Sequence, residues 1–221
     1  NMKKTVIVIG ATGLIGRALV DQLLESNEIA QVITLTRRPL IISHEKFINH
    51  IVDFSKLNQY TEYFIGVDIL FSCLGTTKKQ AGNIELQRRV DLDYQYQAAQ
   101  QANTAGIANY FLVSSSGASA RSLSPYLKMK GELEDKVIKL DFDRCVIFRP
   151  SLLIGQREQG RAGEAFAGQL MPLLVCVPFF KRYRPIKGTE VAAKMAEGAL
   201  IDNDDSTQNQ RVKSYSLDEI F

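Results

Sequence analysis

Apolar positions along the chain follow two rhythms. Short, unbroken apolar runs occur at 5–9 (TVIVI), 32–35 (VITL), 48–52 (INHIV), 67–71 (VDILF), 110–113 (YFLV) and 145–148 (CVIF). These predict strands. Between them the apolar residues recur every three or four positions. Leu19, Val20, Leu23 and Leu24 do so within 16–27, and Leu86, Val90, Ala98 and Ala102 between Ile84 and Ala105. Leu127, Leu133, Val137 and Leu140 repeat the pattern between Pro125 and Leu140. That spacing predicts three helices. Strand following helix following strand predicts an α/β fold with a doubly wound parallel sheet, covered on both faces. The pattern loosens after Arg149, and 155–168 is rich in Gly, Arg and Gln. The chain therefore divides into a core over 1–154 and a short C-terminal cap over 155–221, packed on the same domain at the substrate side.

Composition narrows the class without changing that picture. The chain has 221 residues, 45% hydrophobic and 23% charged, as ordinary globular domains do. A net charge of +3, with no long basic run, gives nucleic acid no electrostatic footprint. Cys73, Cys145 and Cys176 are far apart, which predicts free thiols in a reducing compartment, the cytoplasm. They and the two histidines, His44 and His50, lack metal-ligand spacing, so no metal site is expected. The most apolar window, LMPLLVCVPFF at 170–180, holds two prolines and is too short to span a membrane; it predicts a buried segment, and no membrane partner.

The first strand runs into Gly10-Ala11-Thr12-Gly13-Leu14-Ile15-Gly16. A diphosphate brought to a helix N-terminus meets free N–H groups and the positive end of the dipole. Side chains at the turn would hold it off. Gly10 suits the tight turn, Gly13 the close approach and Gly16 the packing of helix on strand. The spacing is G-x-x-G-x-x-G, and with a strand before it and a helix after it the loop predicts a dinucleotide site over 1–154.

The second strand ends at Arg37-Arg38, where NAD binders commonly carry an acidic residue for the ribose 2′-hydroxyl. Two guanidinium groups there suit a 2′-phosphate, which favours NADP(H) over NAD(H). Asp53, just after the third strand, is placed either to meet the adenine edge or to cap the segment beginning Ser55-Lys56-Leu57. Leu74 and Gly75 end the fourth strand, where the backbone either lies against the adenosine ribose or makes an ordinary turn.

The fifth strand ends in Ser114-Ser115-Ser116-Gly117, followed by Tyr126-Leu127-Lys128-Met129-Lys130. Tyr126 and Lys130, at i and i+4, share one helix face. An ammonium beside a phenol favours the phenolate. Such a tyrosine can exchange a proton with a carbonyl or alcohol oxygen, and a serine hydroxyl can steady the charge that develops there. Lys130 can also hold the nicotinamide ribose. Counting from the strand start favours Ser115 as the acting serine, with Ser116 second.

With GATGLIG, SSS and YLKMK in this order, the chain resembles the short-chain dehydrogenase/reductase superfamily. TRRP at 36–39, CLGTT at 73–77, YLKMKGELE at 126–134, FDRCVIFRPSLLIG at 142–155 and GRAGE at 160–164 narrow the resemblance to its atypical, Tat-interacting-protein-like, NADPH-binding branch. The resemblance implies a Rossmann-like fold, with Tyr126 as proton donor or acceptor and Lys130 as its partner. It implies that Thr12 to Ile15, Arg37, Arg38, Leu74 and Gly75 line the cofactor. It places Ser151 to Leu153 near the nicotinamide and brings Arg161 to the cofactor from the cap. Pairing through the long helices, common in that superfamily, allows a homodimer. One position departs from it. Asp91 stands where many members keep an asparagine that organises a proton relay, and it otherwise reads as a surface helix residue. The expected function is an NADP-dependent oxidoreductase moving hydride between nicotinamide and a small carbonyl or alcohol substrate. The alternative is an NADPH-binding redox-sensing or scaffolding protein with little turnover. An epimerase or dehydratase ranks last.

Overall fold

A computed structural model describes residues 2–151, 153–154, 186–200 and 211–220. Strand β1 (Lys4–Ile9) leads through α1 (Leu14–Glu25) to β2 (Ile29–Thr36), β3 (Phe47–Ile51) and β4 (Ile69–Ser72). Helices α2 (Lys78–Ala81) and α3 (Ile84–Arg88) run into a π-helical turn, Arg89–Tyr94, and then α4 (Gln95–Thr104). There follow β5 (Asn109–Val113), α5 (Pro125–Ile138), β6 (Arg144–Arg149), the short strands β7 (Leu153–Ile154) and β8 (Ile186–Lys187), α6 (Gly188–Leu200) and β9 (Val212–Ser216).

Among the described residues the main sheet has seven strands in the order β3-β2-β1-β4-β5-β6-β9, with every neighbouring pair parallel. The six expected strands are all present, and this is the doubly wound, Rossmann-like topology. Alternate residues of each strand serve opposite layers, as the pleat requires. Ile7, Ile9, Leu70, Tyr110, Leu112, Cys145 and Ile147 pack with Ala98, Ala102, Met129, Leu133 and Val137 of α4 and α5. Val6, Val8, Ile69, Phe71, Phe111, Val146 and Phe148 pack with Leu19, Val20 and Leu23 of α1 and Val191, Ala192, Met195 and Ala199 of α6. The strands read as unbroken apolar runs because both of their faces are buried.

Two expectations change. The helix expected over Ile84–Ala105 is three segments joined end to end, with the wide π turn in the middle. The cap expected over 155–221 is, in its described part, core. Helix α6 covers one face of the sheet beside α1, and β9 hydrogen-bonds to β6 as the seventh strand. The apolar side of α6 has nowhere else to be buried, and β6 would otherwise be an open edge. Residues 155–185, including the apolar window at 170–180 and Cys176, lie outside the described residues. No helix among the described residues is long and apolar enough to cross a membrane.

If α6 belongs to the core, truncating its buried Met195 is costly. Met195→Ala should lose about 2–5 kcal/mol of unfolding free energy by urea denaturation, the usual range for a large core side chain cut to alanine. A loss under about 0.5 kcal/mol would return α6 to the status of a peripheral cap.

Candidate functional site

All the strands of the main sheet point the same way, so their carboxyl ends form one edge. The register aligns Ile9 with Leu35 on one side and with Ser72 on the other. Ser72 aligns with Leu112, and Val113 with Phe148. The turns after β1, β2, β4, β5 and β6 therefore lie side by side. The strand order reverses at β1, between β2 and β4, where open α/β sheets form their ligand crevice.

The glycine loop occupies this point. Gly10 has φ +80°, and a Cβ built there would lie 2.3 Å from the Cys73 carbonyl carbon and 2.5 Å from the Leu74 nitrogen. A Cβ at Gly16 would lie 2.1 Å from the Gly10 carbonyl oxygen. Only bare backbone fits at these two positions, so the loop sits flat against the end of β4. Gly13 is the N-cap of α1; its amide donates to the Gly10 carbonyl at 3.0 Å. Among the described residues no side chain caps α1, and no acidic residue sits in its first turn. Its leading N–H groups keep the donors that every helix start leaves open. Thr12 is exposed, Leu14 is half-buried, and Ile15 is buried beneath the loop. A cradle of backbone donors with no competing carboxylate fits a diphosphate.

Arg37 and Arg38 follow β2 directly and are both exposed. Asp53 caps the 3₁₀ turn Phe54–Gln59, accepting from the Ser55 amide at 2.9 Å and the Ser55 hydroxyl at 2.6 Å. Those bonds hold its carboxyl below the usual carboxylate range. Of the two roles open to Asp53, the cap is thus filled. Leu74 and Gly75 follow β4 beside the glycine loop. Leu153 lies in β7, in register with Ile186 of β8. Arg161 lies outside the described residues.

Helix α5 begins with Ser124 as N-cap and Pro125 at its first position, both favoured starts. This sets Tyr126 in the first turn, partly exposed, and Lys130 one turn on, buried. The Lys130 ammonium is 5.7 Å from the centre of the Tyr126 ring. Gly131 lets the chain after β5 cross the helix here. A Cβ on it would lie 2.2 Å from the Ser119 carbonyl carbon, and the Ser119 amide donates to the Leu127 carbonyl at 3.1 Å.

The ladder between β5 and β6 runs on past the strand ends. The Ser114 amide donates to the Phe148 carbonyl at 2.7 Å and the Ser116 amide to the Pro150 carbonyl at 2.9 Å. By the alternation of extended chain, Ser114 and Ser116 continue the face of Tyr110 and Leu112, which α5 covers. Ser115 continues the opposite face. The Ser114 hydroxyl is buried and has no hydrogen-bond partner among the described residues.

Asp91 is not a surface residue. It is 1% exposed, and its Oδ1 pairs with Lys130 Nζ at 2.8 Å. Its Oδ2 accepts from the Thr76 amide at 2.9 Å. Sequence reasoning weighed Asp91 only as a relay substitute or a solvated residue, because nothing local shows that a π turn carries it inward. It also missed the Glu134–Arg149 pair. Glu134, one turn beyond Lys130, is buried and takes both a 3.0 Å bond from Arg149 Nε and a 2.6 Å bond from Nη2. The i, i+4, i+8 spacing of Tyr126, Lys130 and Glu134 was the available signal. Burial by itself would pull the Lys130 ammonium down. Attraction from Asp91, Tyr126 and Glu134 reverses this and holds it above its ordinary value. Burial pushes the neighbouring Cys73 thiol up to about 12 against the opposing pull of Lys130, so it stays a neutral thiol.

The NAD(P)H-binding family model matches residues 10–169. The chain is 40% identical over 167 residues to the protein HTATIP2 of Rattus norvegicus, covering 74% of this chain and 69% of that one. It is 38% identical over 190 residues to the mitochondrial protein FMP52 of Debaryomyces hansenii, covering 84% of this chain and 83% of that one. Among solved structures, MoeE5 in complex with UDP-glucuronic acid and NAD superposes with a TM-score of 0.71, at 17% identity, over 96% of this chain and 76% of that one. The UDP-N-acetylglucosamine 4-epimerase from Methanobrevibacter ruminantium gives a TM-score of 0.70 at 16% identity, over 98% of this chain and 77% of that one. Likeness at such identity is likeness of fold.

Two glycines of similar φ separate the cost of conformation from the cost of contact. Gly66, at φ +72°, has nothing among the described residues within 4 Å of a built Cβ. Gly66→Ala should cost about 1–2 kcal/mol, the left-handed penalty alone. Gly10→Ala adds an overpacking term of about 1–3 kcal/mol and should cost clearly more. Urea titrations of both variants test this, and equal costs would mean that the loop does not press on β4.

Proposed function

The chain belongs to the NAD(P)H-binding family, with Tat-interacting-protein-like relatives, and on that premise we propose that it is an NADP-dependent oxidoreductase acting on a small carbonyl or alcohol. One observation carries this reading. Lys130 lies buried between the turn after β4 and the partly exposed Tyr126, on the sheet edge that also carries the uncapped start of α1. A pure binding module needs the glycine loop and a basic pair. It does not need a buried lysine beside an accessible phenol.

The roles follow from position. The first amides of α1 hold the diphosphate, and Arg37 and Arg38 receive a 2′-phosphate. Gly75 and Leu74 support the adenosine side. Lys130 holds the nicotinamide ribose with ammonium protons that Asp91 does not use. When bound, the cofactor supplies or accepts the hydride. Tyr126 gives the substrate oxygen its proton during reduction and takes it back during oxidation. A serine hydroxyl polarises the same oxygen. Strand alternation supports Ser116 for this role over Ser115, because Ser116 continues the face that α5 covers. The substrate is small and enters from the side of Tyr126. The unpaired thiols of Cys73 and Cys145 suit a reducing compartment such as the cytoplasm, although the fungal relative's name places that protein in mitochondria.

Tyr126→Phe should cut turnover of a carbonyl panel by at least about 100-fold, the usual worth of a general acid, while NADPH affinity changes only a few-fold. Ser116→Ala should lower kcat more than Ser115→Ala does. Replacing Arg37 and Arg38 together by alanine should weaken NADPH about tenfold or more and leave NADH nearly unchanged, since charge-assisted bonds to one phosphate are worth about 1.5–3 kcal/mol. Fluorescence titration and steady-state assays read each effect. Tight NADPH binding with no oxidation of the bound nucleotide by any aldehyde or ketone would favour the redox-sensing or scaffolding alternative.

A further inference from the structure

We propose that Asp91 is a positioning residue of this site: one of its oxygens holds the Lys130 ammonium and the other holds the Thr76 amide, so a single buried carboxylate fixes the lysine against the loop that follows β4. The proposal rests on the preceding one, because it assigns Lys130 to the cofactor's ribose.

Five observations converge on Asp91. It is 1% exposed, and both of its oxygens are used, at 2.8 Å to Lys130 and 2.9 Å to Thr76. The backbone that carries it is a π turn, the widened helix that recurs at functional sites. The turn is itself braced: Ser72 donates to Gln95 Oε1 at 2.8 Å, and Gln95 Nε2 donates to the Asp91 carbonyl at 2.8 Å. The loop is gripped from both sides of one peptide residue, since Gln87 Nε2 donates to the Thr76 carbonyl at 3.2 Å. Finally, a Cβ on Gly75 would lie 3.4 Å from Asp91 Oδ1 and 4.0 Å from Lys130 Nζ. Gly75, exposed at the cleft, thus lies directly against the buried ion pair with no side chain of its own between them.

This arrangement has a consequence that an asparagine could not reproduce. In this geometry Lys130 and Thr76 meet two different oxygens; an amide would keep an oxygen at one of these positions and turn an NH2 donor toward the other donor, and it brings no charge. A buried ammonium without a counter-charge tends to lose its proton. The groups facing Lys130 are Asp91 from the π turn, Tyr126 and Glu134 from α5, and Cys73 from the end of β4. Glu134 is already committed to Arg149, and the Cys73 thiol is neutral. Asp91 is therefore the group that keeps the lysine charged. The sign follows directly. In the native protein Lys130 is held above its ordinary value of 10.5, so it stays an ammonium through the whole physiological range. In Asp91→Asn burial dominates, the value falls, and the lysine loses its proton and its grip on the ribose as pH rises.

The test has two independent arms. In the first, lysine is labelled with ¹³C at Cε, and the Lys130 signal is assigned by its absence from Lys130→Arg. The cofactor-free wild-type signal should keep its ammonium position beyond pH 10.5, whereas in Asp91→Asn it should titrate below that value. In the second, the Kd of NADPH is measured by fluorescence between pH 7.0 and 9.5. The wild type should vary less than about threefold, and Asp91→Asn should weaken at least tenfold across the range. A wild-type Lys130 that titrates at or below 10.5 overturns the proposal, even if the variant does not fold. So does an Asp91→Asn affinity that runs parallel to the wild type at every pH. If neither protein binds NADPH, the oxidoreductase reading fails, while the lysine titration still decides the role of Asp91.

Discussion

Among the described residues, backbone meets backbone without an intervening side chain at three places, and the geometry of the cleft depends on those contacts. Gly10 lies against the Cys73–Leu74 peptide, Gly16 against the Gly10 carbonyl, and Gly131 against Ser119–Ala120. The first two press the start of α1 onto the ends of β1 and β4. The third presses α5 onto the chain leaving β5. Add a methyl group at any of them and helix and strand must separate. The amides of α1 and the face of α5 with Tyr126 and Lys130 would then drift from the edge that they share. Close approach of this kind is steep in distance, because a packed interior has no free volume to absorb a shift.

Charge is organised around that frame. Four ionisable side chains are drawn toward the interior beside the cleft, and they pair two by two: Lys130 with Asp91, Arg149 with Glu134. Ion pairs of this sort add little net stability, since removing each charge from water costs about as much as the pairing returns. Their value is geometric. Each ties α5 to a different neighbour, one to the π turn and the loop after β4, the other to the end of β6. The helix that bears the candidate proton donor is thereby held from both sides at the level of the strand ends.

Much of the site could be read from the chain directly. The six apolar runs, the glycine loop and the Tyr126–Lys130 spacing were each local patterns, and each sits where a parallel sheet would place it. The misses have a common form. Asp91 looks like any acidic residue on a helix, and only a widened turn, braced by Gln95, carries it beneath the loop. Glu134 and Arg149 are distant in sequence, so their pairing is invisible until β6 lies beside α5. Helix α6 reads as part of a cap from the sequence because the chain before it loses its rhythm; its own apolar side, Val191, Ala192, Met195 and Ala199, is a helical pattern that the loose stretch hides.

The sequence by itself determined the succession of strand and helix, the crossing direction that makes the sheet parallel, and the bare turn at its switch point. These are set by residues a few positions apart, through side-chain period, β-branching and the steric freedom of glycine. Only the tertiary structure decided which charges are buried, which partners they meet, and that the C-terminal strand closes the sheet beside β6. Those outcomes depend on groups far apart along the chain being brought into contact. Whether an aspartate is solvated or locked to a lysine is settled by what packs over it, and the sequence around it carries no record of that.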